Sequence, residues 1–186
     1  MEAIAKAAAQ GEIPVRIVLV ASDRPGAPAL DRARALGLPT VALNFKAFAD
    51  KEAYHRQLAA EVEGAGAEYI ALAGYMRILS PSFVARFRHR IVNIHPSLLP
   101  AFPGLRPHEQ ALEYGVKVSG CTVHLVDEGV DSGPILLQRT VPVEDGDTPE
   151  TLAARVLAEE HRLYPKALEL LGSGRLVLEG RRVRLV

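Results

Sequence analysis

Asn93-Ile94-His95-Pro96-Ser97-Leu98-Leu99-Pro100 follows directly on the strand-like run Arg90-Ile91-Val92. Pro96 and Pro100 exclude regular structure, so the sequence predicts a strand that ends in a rigid loop. Such a loop lies at the carboxyl edge of a sheet, where open α/β proteins build their ligand sites. Asn93 and His95 are two residues apart, and side chains at that spacing on a strand share one face.

The chemistry of this pair suits the handling of a transient negative charge. Asn93 offers an amide donor, and a histidine such as His95 offers an imidazole that can carry charge. Two such donors that converge on one point can stabilise an oxyanion and deliver a proton. Each residue alone also fits a structural role, because Asn and Pro are common in loops. The combination with two prolines favours a site over an ordinary connection.

The composition describes a globular chain without a charge bias. Its 186 residues are 48% hydrophobic, which predicts one domain over residues 1–186 with a substantial core. The 22 basic and 22 acidic residues balance, so nothing predicts a nucleic-acid or membrane partner. The apolar runs are strand-sized and the N-terminus lacks the apolar core of a signal peptide, which predicts a cytoplasmic protein.

Cysteine and arginine usage narrows the possibilities further. Cys121 is the only cysteine, which excludes a disulfide framework and a cysteine-rich metal site. Arginines cluster near the C-terminus at positions 175, 181, 182 and 184. An exposed terminal hairpin explains them at least as well as a binding patch does. No spacing of histidines or carboxylates predicts a metal site.

Hydrophobic patterning predicts strands that alternate with helices. The predicted strands are 15–20, 40–43, 69–73 and 91–94, followed by extended runs from Val118 and over 134–143 and a hairpin at 176–186. The predicted helices are 3–9, 27–36, 50–63, one that begins at Ser80-Pro81, 107–114 and 148–170. This order predicts an α/β fold with a Rossmann-like, doubly wound, mostly parallel sheet and a late antiparallel addition. The pattern opens on a helix where such a chain is expected to open on a strand.

Other polar positions are candidates for the same site. Asp131 lies in the turn-like segment 130–134, and a carboxylate beside His95 would favour the imidazolium. An ordinary turn explains that segment equally well. Residues 74–79 follow a buried strand and could offer main-chain hydrogen bonds to a flat heterocycle, although a plain apolar loop looks the same. His124, on an alternating strand, could face either water or the site.

Five segments together resemble the folate-dependent formyltransferases: 93–100, Phe102-Pro103-Gly104, Asp131-Ser132-Gly133-Pro134, 73–80 and Glu159-Glu160-His161. The resemblance covers essentially the whole chain and is strongest with members that act in purine biosynthesis. It implies transfer of a formyl group from 10-formyltetrahydrofolate to the amine of 5-phosphoribosylglycinamide. It also implies small-molecule substrates, no metal, and a monomer or homodimer.

The resemblance assigns roles to particular residues. Asn93 would hold the formyl oxygen, His95 would be the proton donor, and Asp131 would keep it protonated; these three are the predicted catalytic residues. The predicted cofactor-binding residues are Lys51, Met76, Arg77, Ile78, Leu79, Asn93, Asp127, Glu128, Gly129, Val130 and Asp131. The predicted substrate-binding residues are Gly74, Pro96, Leu157 and Glu160. Leu157 departs from the family, which often has a polar residue there.

A larger departure concerns the start of the chain. The family begins with a strand and a Gly-Ser-Asn loop whose amides bind the ribonucleotide phosphate. Both are missing before Met1, so we expect an N-terminally truncated chain with two unpaired strand edges that binds the phosphate poorly. The alternatives are a methionyl-tRNA formyltransferase, a formyltetrahydrofolate hydrolase, or a non-catalytic folate-binding remnant. The balanced charge and the absence of extra domains argue against the first two.

Overall fold

The computed structural model describes all 186 residues and contains eight strands and six α-helices. The strands are β1 Val20–Ser22, β2 Thr40–Ala42, β3 Ile70–Leu72, β4 Ile91–His95, β5 Val118–Leu125, β6 Ile135–Pro142, β7 Leu176–Glu179 and β8 Arg182–Leu185. The helices are α1 Glu2–Ala9, α2 Pro28–Ala35, α3 Lys51–Gly64, α4 Pro81–Arg86, α5 Pro107–Tyr114 and α6 Pro149–Gly172. None of the six helices combines the length and apolar character needed to cross a bilayer.

The strands form three hydrogen-bonded groups. β1 and β2 are parallel, and a four-stranded sheet follows the order β3-β4-β5-β6. In that sheet β3 and β4 are parallel, whereas β5 and β6 are antiparallel additions. β7 and β8 form an antiparallel hairpin. The predicted α/β class, with early parallel strands and a late antiparallel addition, is confirmed.

Apolar side chains cover both faces of the sheet. Ile91 belongs to a core built mainly with α3 and α4, whereas Val92 belongs to a second core built with α1, α5 and α6. This alternation is expected of a strand that is buried on both sides. The hydroxyl of Tyr164 on α6 lies 2.8 Å and 2.9 Å from the carbonyl oxygens of Leu72 and Val92, which ties the long helix to β3 and β4.

The predicted helix starts are supported by their caps. Asp50 accepts a hydrogen bond from the amide of Ala53 at 2.7 Å, and Ser80 caps α4. Thr148 and Thr151 form a reciprocal capping box at the start of α6. These contacts satisfy amide groups that would otherwise lack partners at a helix end.

The predicted strand over residues 15–20 is wrong in its extent. Only Val20–Ser22 has a strand partner, and residues 15–19 have no strand hydrogen-bonded beside them. β1 and β3 each pair on one side only, and a cleft of about 720 Å³ is lined by residues of both strands. Without a neighbouring strand to share backbone hydrogen bonds, residues 15–19 stay outside the sheet. Whether the family's first strand would fill this cleft stays a prediction.

Candidate active site

The carboxyl end of β4 places Asn93 and His95 beside β5. The antiparallel register sets Asn93 directly opposite His124, a side chain that is 2% exposed. The Nδ1 atom of His124 lies 2.9 Å from the carbonyl oxygen of Leu125, which can only accept a hydrogen bond. In a neutral His124 the proton therefore lies on Nδ1, and Nε2 accepts from the Asn93 amide at 3.3 Å.

The loop after His95 folds back onto the histidine. The Nε2 atom of His95 donates to the carbonyl oxygen of Phe102 at 2.8 Å. Thr122 fixes the loop, because its hydroxyl donates to the Ser97 carbonyl at 2.7 Å and accepts from the Leu99 amide at 3.0 Å. The rigid loop predicted from the two prolines is thus bound to the neighbouring strand.

Asp131 completes the cluster. Its Oδ2 lies 3.2 Å from Nδ1 of His95 and accepts from the Gly104 amide at 2.8 Å, while Oδ1 lies 3.6 Å from Nε2 of His124. Both ring nitrogens of His95 therefore face oxygen acceptors, an arrangement that suits a doubly protonated ring. Burial raises the pKa of Asp131, but the neighbouring His124 ring, the hydrogen bond from the Gly104 amide and the charge on His95 together outweigh burial and leave the pKa lowered.

A pocket of about 110 Å³ adjoins this cluster. Nine of the eleven predicted cofactor-binding residues line it: Arg77, Ile78, Leu79, Asn93, Asp127, Glu128, Gly129, Val130 and Asp131. Its size is below the roughly 300–1,000 Å³ of sites that enclose a drug-sized ligand. The pocket therefore suits one ring system of a longer molecule, with the remainder over the exposed side chains of Ile78 and Val130.

Comparisons with known proteins agree on one family. Residues 1–168 match the family model described as "Formyl transferase". The chain belongs to the formyl transferase family. Phosphoribosylglycinamide formyltransferase of Escherichia coli is 43% identical over 176 residues, which are 95% of this chain and 83% of that protein. Glycinamide ribonucleotide transformylase 1 of Symbiobacterium toebii has a TM-score of 0.97 and 51% identity, with coverage of 100% of this chain and 87% of that structure.

Other relatives are parts of much longer proteins. The trifunctional purine biosynthetic protein adenosine-3 of Drosophila pseudoobscura pseudoobscura is 50% identical over 168 residues, which are 90% of this chain. The chain spans only 12% to 16% of the length of five such trifunctional relatives. Family membership is thus shown over most of this formyl transferase chain.

Two predicted cofactor-binding residues, Lys51 and Met76, do not line the small pocket. Lys51 begins α3 and Met76 is 74% exposed, and neither lines the small pocket, so their cofactor role stays a prediction. Gly74 lines the larger cleft together with Ser22 and Asp23. The large cleft is mostly apolar, whereas the clustered titratable groups adjoin the small pocket, so we assign the chemistry to the small pocket.

The three other predicted substrate-binding residues occupy two elements. Pro96 is half-buried in the loop after β4. Leu157 and Glu160 lie on α6, where Leu157 is largely exposed. Burial raises the pKa of Glu160 to about 7. Glu160 lies one turn before Tyr164, the residue that ties α6 to the last residue of β3 and to the second residue of β4. The structure does not bring Leu157 or Glu160 into the small pocket, and their role also stays a prediction.

Sequence reasoning missed two features of this formyl transferase. The alternating pattern of β5 does not decide whether His124 faces solvent or the site, but the register that pairs it with Asn93 does. The anchoring of Arg77 had no local signal: its guanidinium donates to Asp23 at 2.6 Å and lies 3.8 Å from the ring centre of Phe45. These partners are far apart in the chain, so only the tertiary fold reveals them.

Proposed function

We propose that this protein transfers the formyl group of 10-formyltetrahydrofolate to the amine of 5-phosphoribosylglycinamide in purine biosynthesis. The observation that carries the proposal is the contact of His95 with Asp131 next to Asn93, beside a ring-sized pocket. Family membership and the names of the relatives in Escherichia coli and Symbiobacterium toebii support the same reaction. The two substrates are small molecules, and no step uses a metal.

The amine of the acceptor attacks the formyl carbon of the donor. A carbon–nitrogen bond forms, and the carbonyl π electrons move to oxygen, which gives a tetrahedral oxyanion. The Asn93 amide and the His95 ring donate hydrogen bonds to that oxygen. The oxyanion replaces the Phe102 carbonyl oxygen as the acceptor for Nε2 of His95. Such donors act more strongly on the oxyanion than on the ground-state carbonyl, which is what lowers the barrier.

Proton transfer completes the reaction. Asp131 accepts a proton from the attacking nitrogen, directly or through a water molecule. The oxyanion then restores the carbonyl, the bond to the folate nitrogen breaks, and that nitrogen takes the proton that Asp131 had accepted, directly or through the water molecule. Asp131 can act as a base at neutral pH because its lowered pKa keeps it ionised.

The folate end of the donor would lie in the small pocket. Residues 127–131 and 77–79 line that pocket, and we expect backbone groups among them to pair with the polar edge of a heterocycle. Glu160 would contact the ribonucleotide, as the family resemblance implies. A bound ammonium or hydroxyl would compensate the burial of the Glu160 carboxyl.

The test is a formyl-transfer assay with 5-phosphoribosylglycinamide, water and methionyl-tRNA as competing acceptors. We expect the ribonucleotide to be the preferred acceptor. His95→Ala and Asp131→Asn should each lower kcat about a hundredfold or more, because each removes a group that contacts the reacting atoms. Preference for water or for the tRNA would replace the proposal with a hydrolase or a tRNA-modifying enzyme, and binding without turnover would identify a folate-binding protein.

Matched controls separate chemistry from folding. Asp145→Asn removes a carboxylate whose side chain is 95% exposed. His89→Asn replaces an exposed histidine at φ 61°, a conformation that asparagine tolerates. Both controls should retain near wild-type rates. Near wild-type rates in the His95 and Asp131 variants would refute the assigned roles.

A further inference from the structure

We infer that Arg181, in the turn of the C-terminal hairpin, is a positioning residue for the loop that carries Asp131. The guanidinium of Arg181 donates to the carbonyl oxygen of Ser132 at 2.6 Å, across 49 positions of the chain. The inference rests on the proposed function for its effect on rate. Its effect on the loop itself can be measured without any substrate.

The loop over residues 127–133 has few contacts that hold it. Residues 128–130 and Ser132 are exposed, and the side chain of Asp127 supplies the internal bonds, accepting from the Gly129 amide at 3.1 Å and the Ser132 hydroxyl at 2.6 Å. Asp131 has φ 50°, a left-handed conformation that costs a non-glycine residue free energy. Such a loop opens easily unless something outside it holds its backbone.

Arg181 supplies that outside contact. Its bond to Ser132 is the only hydrogen bond from a residue outside 127–133 to a backbone group of that segment. The carbonyl oxygen of Ser132 belongs to the peptide between Ser132 and Gly133, so this bond fixes the backbone on the C-terminal side of the residue that directly follows the strained Asp131. The Gly104 amide holds the Asp131 carboxylate itself. The side chain of Asp131 is therefore held by the loop that contains Gly104, and the backbone beside it is held by the C-terminal hairpin.

The hairpin is firm enough to act as a support. Leu176, Leu178 and Val183 pack against the larger core, so the hairpin is attached to the body of the protein. Its turn, at residues 180–181, carries Arg181 towards the loop. A rigid element that fixes a catalytic group through one loop peptide is valuable, because displacement of a reacting group by about 1 Å can cost a hundredfold in rate.

The neighbouring arginines provide matched controls. The side chain of Arg182 is exposed and makes no hydrogen bond or ion pair, whereas the side chain of Arg184 pairs with Glu179 inside the hairpin. Arg182→Ala therefore removes the same charge from the next position of the hairpin without removing a contact to the loop. Arg181→Lys keeps the charge and a donor, although a lysine lacks the planar geometry of a guanidinium.

The experiment compares Arg181→Ala, Arg181→Lys and Arg182→Ala. We expect Arg181→Ala to lower kcat about three- to tenfold, the effect of one lost hydrogen bond, with little change in Tm. The acid limb of its pH–rate profile should move to higher pH, because Asp131 would lie less closely between His95 and His124. Arg181→Lys should recover part of the loss, and Arg182→Ala should match the wild type.

Amide hydrogen exchange separates this inference from the proposed function. Residues 127–133 should exchange faster in Arg181→Ala than in Arg182→Ala, even if the wild type transfers no formyl group to 5-phosphoribosylglycinamide. Equal exchange in the two variants would overturn the inference. If the enzyme is active, an equal kcat in Arg181→Ala and Arg182→Ala would also overturn the inference. So would a fall in kcat of Arg181→Ala that is explained by a lowered Tm.

Discussion

Replacement of His124 by phenylalanine should lower the rate of formyl transfer about tenfold while the protein stays folded. His124 is 2% exposed, and its Nε2 lies 3.3 Å from Asn93 Nδ2 and 3.6 Å from Asp131 Oδ1. Phenylalanine fills similar space but offers neither nitrogen. The substitution therefore removes the partner that orients the Asn93 amide and a neighbour of the Asp131 carboxylate.

The size of the effect follows from these two contacts. The contact with Asn93 is a neutral hydrogen bond, worth about 0.5–1.5 kcal/mol. The contact with Asp131 is longer than a hydrogen bond and adds a smaller electrostatic contribution. Because about 1.4 kcal/mol corresponds to a tenfold change in rate, the combined loss is near tenfold. Asn93→Ala removes the oxyanion donor itself and should cost about 100- to 1,000-fold.

The variant should also change the pH dependence of the rate. The neighbouring His124 ring has the largest effect among those that lower the pKa of Asp131, so removal of that ring raises the pKa of Asp131. Only the ionised carboxylate can accept a proton from the amine. The acid limb of the rate profile should therefore begin at a higher pH in His124→Phe than in the wild type.

Steady-state formyl transfer to 5-phosphoribosylglycinamide, measured from pH 5 to 9, provides the assay. A double variant that combines His124→Phe with Asn93→Ala completes a double-mutant cycle. The free-energy effects of two substitutions do not add when one residue acts through the other. We expect the double variant to lose less than the product of the two single losses. A wild-type rate in His124→Phe, or fully multiplicative losses, would refute the idea that His124 acts by orienting Asn93.

Two further predictions concern stability and pH. Glu160 has a pKa raised to about 7 by burial, so the folded protein binds its proton more tightly than the unfolded chain does. The protonated Glu160 side chain therefore contributes stability at acid pH, and this contribution is lost as the pH rises through 7. Glu160→Gln should raise Tm at pH 8 and flatten the decline of Tm between pH 5 and 8. Glu159→Gln should do neither. Asp147, 3% exposed, has a pKa lowered by its hydrogen bonds with Arg155. That stabilisation is complete above about pH 4 and declines only gradually as the pH falls towards the much lower pKa of the folded state, so Asp147→Asn should lower Tm more at pH 7 than at pH 3, with no such contrast for Asp145→Asn.

The sequence predicted the parts of this molecule that depend on local patterning. Helix caps such as Asp50 and Ser80, the elements they begin, and the strand that ends at His95 all follow from residue types at short spacing. The pairing of His124 with Asn93 does not, because a strand has two faces and only its register decides which face meets the neighbour. The bond from Arg181 to Ser132 links segments far apart in the chain, and no local pattern encodes it.

The turn-like and the catalytic interpretations of residues 131–134 are not true alternatives. A β-bulge on β6 leaves Leu136 as an extra residue, since Val123 pairs with Leu137 and His124 with Ile135. Next to it the chain closes tightly: the Leu125 amide donates to the Pro134 carbonyl at 2.9 Å, and a Cβ on Gly133 would lie 1.8 Å from the Leu125 oxygen. Glycine is required there by close approach of the backbone. That closure returns the loop over the face that carries His95 and His124, so the residues that make an ordinary turn also deliver the carboxylate of Asp131.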